Sequence, residues 1–287
     1  MVYILKNDRL TVKIDTLGAE VISAVGADGF EYIWSGKEWG DHAPLLFPTC
    51  GRLKDGKYTY RGKEYSMKSH GFAKFSEFKA EEHTDEYIRL TLISSDVTRA
   101  IYPFDFKLTA EYRLDCNRLL ADFTVENTGS DTLPYMFGWH PGFNMEGDAP
   151  LDRFYLDFGK KDSLGLYPLQ NGPFVSPKRE DFPLRGGRYY VNNTEIARID
   201  TYILVDTDGF TTLASEDADH SVRLTWSENL PYFCVWKAPE EEARFLCLEP
   251  WSNVPADGVT PECFDDREMS RLPSGGSEKY SYMAELK

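Results

Sequence analysis

Apolar and polar residues alternate with a period of two along most of this chain, and helical periodicity is nearly absent, which confines it to an all-β fold. The clearest runs are Leu10–Ile14, Tyr87–Ile93, Lys107–Leu114 and Leu119–Val125, each reading as a strand with one buried face. Turn chemistry separates them at short intervals: Ala27-Asp28-Gly29, Arg61-Gly62, Asp115-Cys116-Asn117, Asn127-Thr128-Gly129 and Thr207-Asp208-Gly209. That spacing predicts consecutive antiparallel hairpins, with Tyr58–Tyr60 against Tyr65–Met67 and Ala110–Leu114 against Leu119–Phe123. Helical turns are expected only near Ser95–Ala100 and near Pro261–Arg271, where Thr260 would cap and Pro261 would open the first turn. About twenty short strands with almost no helix imply a large antiparallel β-sandwich. No linker divides two cores, so residues 1–287 read as a single domain, with the loop-rich stretch 144–188 as an insertion within it.

Composition narrows the partners. The formal charge is −15, which leaves little surface for the basic face that a nucleic acid demands. The most apolar uncharged stretch, Thr132–Met145, is too short and too broken by proline to span a bilayer, and no secretory signal is visible at the N-terminus. Five cysteines without a Cys-x-x-Cys pair read as reduced thiols, and the expected compartment is the cytoplasm. Neither His-x-His nor His-Glu-x-x-His occurs, so spacing suggests no metal. The serine-hydrolase elbow, the dinucleotide glycine fingerprint and the P-loop are missing as well.

What remains is imidazole and carboxylate chemistry. His70 lies in Ser69-His70-Gly71-Phe72-Ala73 and His140 in Gly138-Trp139-His140-Pro141-Gly142-Phe143, glycine and aromatic contexts suited either to a sugar site or to an aromatic core. Glu249 interrupts the apolar run Phe245–Trp251, where an unpaired carboxylate would cost roughly 3 kcal/mol. It serves either a structural ion pair or a function. Arg52, after Phe47-Pro48-Thr49-Cys50-Gly51, is a hydrogen-bonding fork or a surface charge, and Asp200 opens the apolar run Thr201–Val205. His42, His83 and His220 sit in polar, acidic surroundings and read as structural. One or more of Trp139, Phe143, Trp236 and Trp251 should face the site as an aromatic wall.

Five motifs in order carry a resemblance: Phe47-Pro-x-x-Gly-Arg-Leu-Lys-Asp-Gly56, His70-Gly-Phe-Ala, Tyr102-Pro-Phe-x-Phe106, Gly138-Trp-His-Pro-Gly-Phe143 and Cys247-Leu-Glu-Pro-Trp251. The chain resembles the galactose-mutarotase-like aldose 1-epimerases, and within them the LacX-like branch. The resemblance implies a large antiparallel β-sandwich with a sugar site in an open cleft and no cofactor. It implies Glu249 as catalytic base and His140 as catalytic acid, with Arg52, His70, Trp251 and an aspartate holding the sugar; Asp200 is the better match for the aspartate and Asp206 the alternative. A free imidazole pKa near 6.5 suits the acid. The Gly-Trp-His-Pro-Gly-Phe and Leu-Glu-Pro-Trp forms are those of the LacX-like and hexose-phosphate branches, so the chemistry carries over better than the substrate. Alternatives are a hexose-6-phosphate 1-epimerase, a glycoside hydrolase pairing Asp200 with Glu249, and a non-catalytic sugar-binding protein.

Overall fold

The computed structural model describes residues 1–147, 149–191, 196, 201–240 and 243–287. Among them, two large antiparallel sheets dominate. The nine-stranded sheet runs in the order Arg188–Tyr190, Phe154–Asp157, Phe210–Ser215, Val222–Trp226, Ser277–Leu286, Arg118–Asn127, Phe106–Asp115, Tyr87–Ile93, Lys79–His83. The eight-stranded sheet runs Glu180–Pro183, Ser163–Tyr167, Thr201–Val205, Tyr232–Trp236, Phe245–Trp251, Gly138–Trp139, Leu45–Leu46, with Gly142–Asn144 also on Phe245–Trp251. Alternation decides which sheet faces what: in Arg118–Asn127, Leu119, Ala121, Phe123 and Val125 are buried, while the residues between them reach towards solvent.

The two sheets meet through aromatics. Trp226 of the first stacks on Phe233 of the second at 4.8 Å between ring centroids, Trp139 meets Tyr282 edge-on at 5.5 Å, and the Tyr282 hydroxyl donates to the Pro250 carbonyl at 3.1 Å. Buried residues from both sheets join one continuous core. No helix among the described residues is long and apolar enough to cross a membrane.

The expected hairpins form in the expected register, with Tyr58 across from Tyr65, Ala110 from Phe123 and Leu114 from Leu119. A short helix covers Asp96–Ile101, with Ser95 and Thr98 closing a reciprocal capping box. Two expectations need correcting. A single turn forms within Pro261–Arg271, the Asp266 and Arg267 amides donating to the Cys263 carbonyl at 3.2 and 2.8 Å, but it does not start at Thr260 and Pro261, because Asp257 accepts from the Val259 and Thr260 amides and from the Thr260 hydroxyl, which removes the cap. Phe264 is instead drawn down to stack on Tyr58 at 3.8 Å, and the Glu262–Arg267 ion pair is buried beside it in sequence. Nor is 144–188 an insertion: Phe154–Asp157 pairs with Phe210–Ser215 in the first sheet, and Ser163–Tyr167 pairs with Thr201–Val205 in the second.

Candidate active site

Strand register builds the site. Gly138 pairs with Trp251 and Gly142 with Cys247, and the Leu248 amide donates to the Pro141 carbonyl at 3.1 Å. The same count sets His140 opposite Glu249. The two side chains meet accordingly, His140 Nε2 lying 3.1 Å from Glu249 Oε2. Glu249 is 1% exposed and His140 7%. Period two puts Cys247, Glu249 and Trp251 on one face of their strand, and Leu246 and Leu248 on the other face, within the main core.

Above this pair opens a cleft of about 460 Å³, within the range of small-molecule sites. His140, Glu249, His70 and Arg52 all line it, as do Trp39, Trp236 and Trp251. The sequence expectation of an aromatic wall therefore holds for Trp236 and Trp251. Trp139 and Phe143 are core residues, the Trp139 indole donating to the Ala43 carbonyl at 3.0 Å.

Glycines let the walls close up. A methyl on Gly138 would sit 2.5 Å from Trp251 Cδ1, and one on Gly142 would sit 2.8 Å from Trp39 Cζ3. Gly71, at φ +76°, lies under the Phe47 carbonyl, where a Cβ would come within 2.2 Å of the oxygen. This close approach locks two of the motifs together: the Phe72 amide donates to the Phe47 carbonyl at 2.9 Å, and the His70 amide to the Gly51 carbonyl at 2.8 Å.

His70 is half-buried at φ +64°, a left-handed conformation that costs roughly 1 kcal/mol or more for a non-glycine residue. Its Nδ1 accepts from the Gly51 amide at 3.2 Å. That hydrogen bond assigns the proton of the neutral ring to Nε2, leaving a donor. Burial first, then the charges of Lys74 and Arg52, push the His70 pKa down to about 3, so the ring is neutral at pH 7. His140 departs from the sequence expectation of an imidazole titrating near 6.5. Burial, reinforced by His70 and Lys74, holds its pKa well below that value. The imidazolium, once formed, is a stronger acid than a free one.

Arg52 is exposed at the cleft rim, after Gly51 at φ +70°. Asp200 lies outside the described residues; its neighbour Thr201 lines the cleft. Asp206 is ion-paired with Arg179 at the end of Thr201–Val205 and is not among the residues lining the cleft. Trp39, Lys68 and Asp41, which pairs with Lys74, are cleft components that sequence reasoning missed. Two tryptophans, Trp34 and Trp39, in the mostly polar stretch Trp34–Asp41 were the available signal for the first, since loops carry much of a protein's binding function.

The fold is two large antiparallel sheets, with a buried imidazole–carboxylate pair beneath an aromatic cleft. The aldose 1-epimerase family model matches residues 1–260, and the chain belongs to that family. The plasmid-encoded protein LacX of Lactococcus lactis subsp. lactis is 28% identical over 97% of both chains. A galactose mutarotase-like protein from Lactobacillus casei superposes with a TM-score of 0.94 at 28% identity, over all of both chains. A galactose mutarotase related enzyme from Lactobacillus acidophilus gives 0.93 at 27%, covering 100% of this chain and 97% of the other. The fold is that of these galactose mutarotase-like structures.

Proposed function

We propose that this protein is an isomerase that interconverts the α and β anomers of a hexose or related sugar. The observation that carries the reading is the His140–Glu249 contact of 3.1 Å, buried at the floor of an open cleft. Mutarotation needs a base and an acid on one pyranose. Glu249 takes the proton of the anomeric hydroxyl while His140, protonated to its imidazolium form, gives one to the ring oxygen, and the C1–O5 bond breaks to leave an open-chain aldehyde. Rotation about C1–C2 presents the other carbonyl face, and the two groups exchange roles as the ring closes. Neutral His70 donates from Nε2 to a sugar oxygen, and Arg52 holds hydroxyls at the rim. The indoles of Trp39, Trp236 and Trp251 offer apolar faces and edges to the sugar's C–H surface. All of these groups are side chains, so the scheme uses no cofactor.

A second reading, a sugar phosphate as substrate, is favoured by Arg52, Lys68 and Lys74 lining the cleft of a chain whose net charge is −15. Lys74 is already committed to Asp41, which leaves Arg52 and Lys68 as the pair for a dianion. The test for both is a polarimetric or NMR screen of freshly dissolved α-anomers, free and 6-phosphorylated. Acceleration of a free sugar supports the first reading, and acceleration of phosphorylated sugars alone supports the second. Saturable sugar binding without acceleration of any anomer would leave a binding protein instead.

A further inference from the structure

The strand face that presents Glu249 also presents Cys247, two residues earlier, and the register brings both to His140. A ring nitrogen of His140, the Cys247 Sγ and a Glu249 carboxylate oxygen all lie within 4.8 Å of one another, and all three residues are buried. His140 Nδ1 is buried and has no hydrogen-bond partner among the described residues. The ring nitrogen that faces Glu249 is Nε2, 3.1 Å from its carboxylate, so an ion seated between them would take its lone pair. Cys247 has no place in the acid–base scheme, yet it packs beside the pair rather than in the main core: its cluster is Ala238, Ala243 and Phe245, against Trp34, Trp39 and Trp236.

We propose that His140, Cys247 and Glu249 form a binding site for a thiophilic divalent cation, Zn²⁺ being the type, and that its occupancy switches the reaction off. The donor set decides the class of ion. One imidazole nitrogen, one thiolate and one carboxylate oxygen suit Zn²⁺ or Co²⁺ and not Mg²⁺ or Ca²⁺, which take oxygen shells. Three protein donors leave a fourth position, and His140 and Glu249 already line the cleft, so an ion has a path in and water can complete a tetrahedron. Zinc–ligand bonds of roughly 2.0–2.3 Å require donors roughly 3.3–3.7 Å apart, so side-chain rotation must close the widest pair by about an ångström. The thiol gives up its proton to the medium as the sulfur–metal bond forms, and no oxidation is involved. Because the ion takes the lone pairs of both the acid and the base, it inhibits; this half of the inference rests on the proposed epimerase chemistry.

Metal binding is read first, without turnover. Co²⁺ added to the purified, metal-stripped protein should give a thiolate-to-cobalt charge-transfer band, and Zn²⁺ should displace it at one equivalent. Cys247→Ala and Cys247→Ser should abolish the band and weaken Zn²⁺ binding by about 100-fold, whereas Cys116→Ser with Cys263→Ser, the two thiols outside the buried set, should leave both unchanged. Inhibition is read next. Micromolar Zn²⁺ should stop anomer exchange in the wild type, EDTA should restore it, and Cys247→Ala should keep its basal rate within about threefold while resisting Zn²⁺. Unchanged Co²⁺ and Zn²⁺ binding in both Cys247 variants would overturn the site. Activity that falls in EDTA and returns with Zn²⁺ would overturn the inhibitory role. The spectroscopic arm needs no turnover, so a protein that epimerises no sugar still accepts or refuses the metal, and the two failures read separately.

Discussion

Glu249→Gln is the sharpest perturbation of the proposed chemistry, because the amide keeps the volume of the carboxylate and its place beside His140 but cannot accept a proton. At 1% exposure and 3.1 Å from Nε2, Glu249 is held at the floor of the cleft beside the imidazole. Positioned acid–base catalysis is worth about 10²- to 10⁴-fold, or about 3–5.5 kcal/mol in the barrier. The kcat for anomer exchange should fall within that range, while sugar affinity, which the proposal assigns to Arg52, His70 and the tryptophans, should change by less than tenfold. Saturation-transfer NMR on a sugar that the wild type turns over gives the rate, and quenching of tryptophan fluorescence gives the affinity. Because base and acid serve one proton-transfer sequence, adding His140→Asn should cost much less than the product of the two single losses. A Glu249→Gln protein that exchanges anomers within a few-fold of the wild type would remove this carboxylate from the mechanism. Multiplicative losses in the double variant would show that the two groups act independently.

Three further outcomes are expected. Gly138→Ala places a methyl 2.5 Å from Trp251 Cδ1 and 3.2 Å from Leu46 Cδ1, so it should lower the melting temperature by roughly 3–8 °C and weaken sugar binding, whereas Gly40→Ala, with open space around it, should do neither. Arg52→Ala should raise KM more than it lowers kcat, since its fork holds ground state and transition state alike; a pure kcat loss in steady-state kinetics would contradict the assignment. His220 bridges Asp28 and Glu146 at 2.9 Å each and stacks on Phe30; burial lowers its pKa, but the two carboxylates outweigh burial and raise it above 6.5. A raised value means stability that is full below pH 6.5 and lost as pH climbs through the folded-state pKa, and the lowered pKa values of Asp28 and Glu146 keep it available down to the acid range. His220→Gln should therefore cost about 0.5–1 kcal/mol at pH 6 and much less at pH 9 in denaturant titrations, and an equal cost at both would refute the charged bridge.

The hairpins were legible because each depends on neighbours in sequence: alternation chooses the buried face and the turn residues choose the crossing point, as at Asp115-Cys116-Asn117, where Cys116 takes φ +54°. The start of the turn within Pro261–Arg271 was not legible, since Asp257 intercepts Thr260 and Tyr58, some two hundred residues earlier, captures Phe264. Glu249 betrayed itself as a carboxylate inside an apolar strand, and His70 and His140 through their glycines. Their convergence was invisible to spacing and was reachable only through the motif order. The depressed pKa of His140 was out of reach for the same reason, because it comes from burial and from His70 and Lys74, neither of which neighbours it in sequence.

Fold and site share one determinant. Phe245–Trp251 is buried on both faces, with the pattern of apolar residues unbroken except at Glu249 and with Pro250 and Trp251 closing it. A two-sided apolar strand fixes its register poorly by hydrophobicity alone, because a slip of one residue exchanges one buried face for another. Here the slip would carry Glu249 into the main core, away from His140, and would turn Leu248 towards the cleft. An ionised carboxylate in that core costs several kcal/mol even after relaxation, far more than a leucine gains or loses by changing faces. Gly138 and Gly142 set the same register sterically, since only glycine leaves room for Trp251 and Trp39 where they lie. The buried carboxylate that a stability argument alone would remove therefore does structural duty: it specifies which face of its strand looks into the cleft, and in doing so it brings itself to the imidazole.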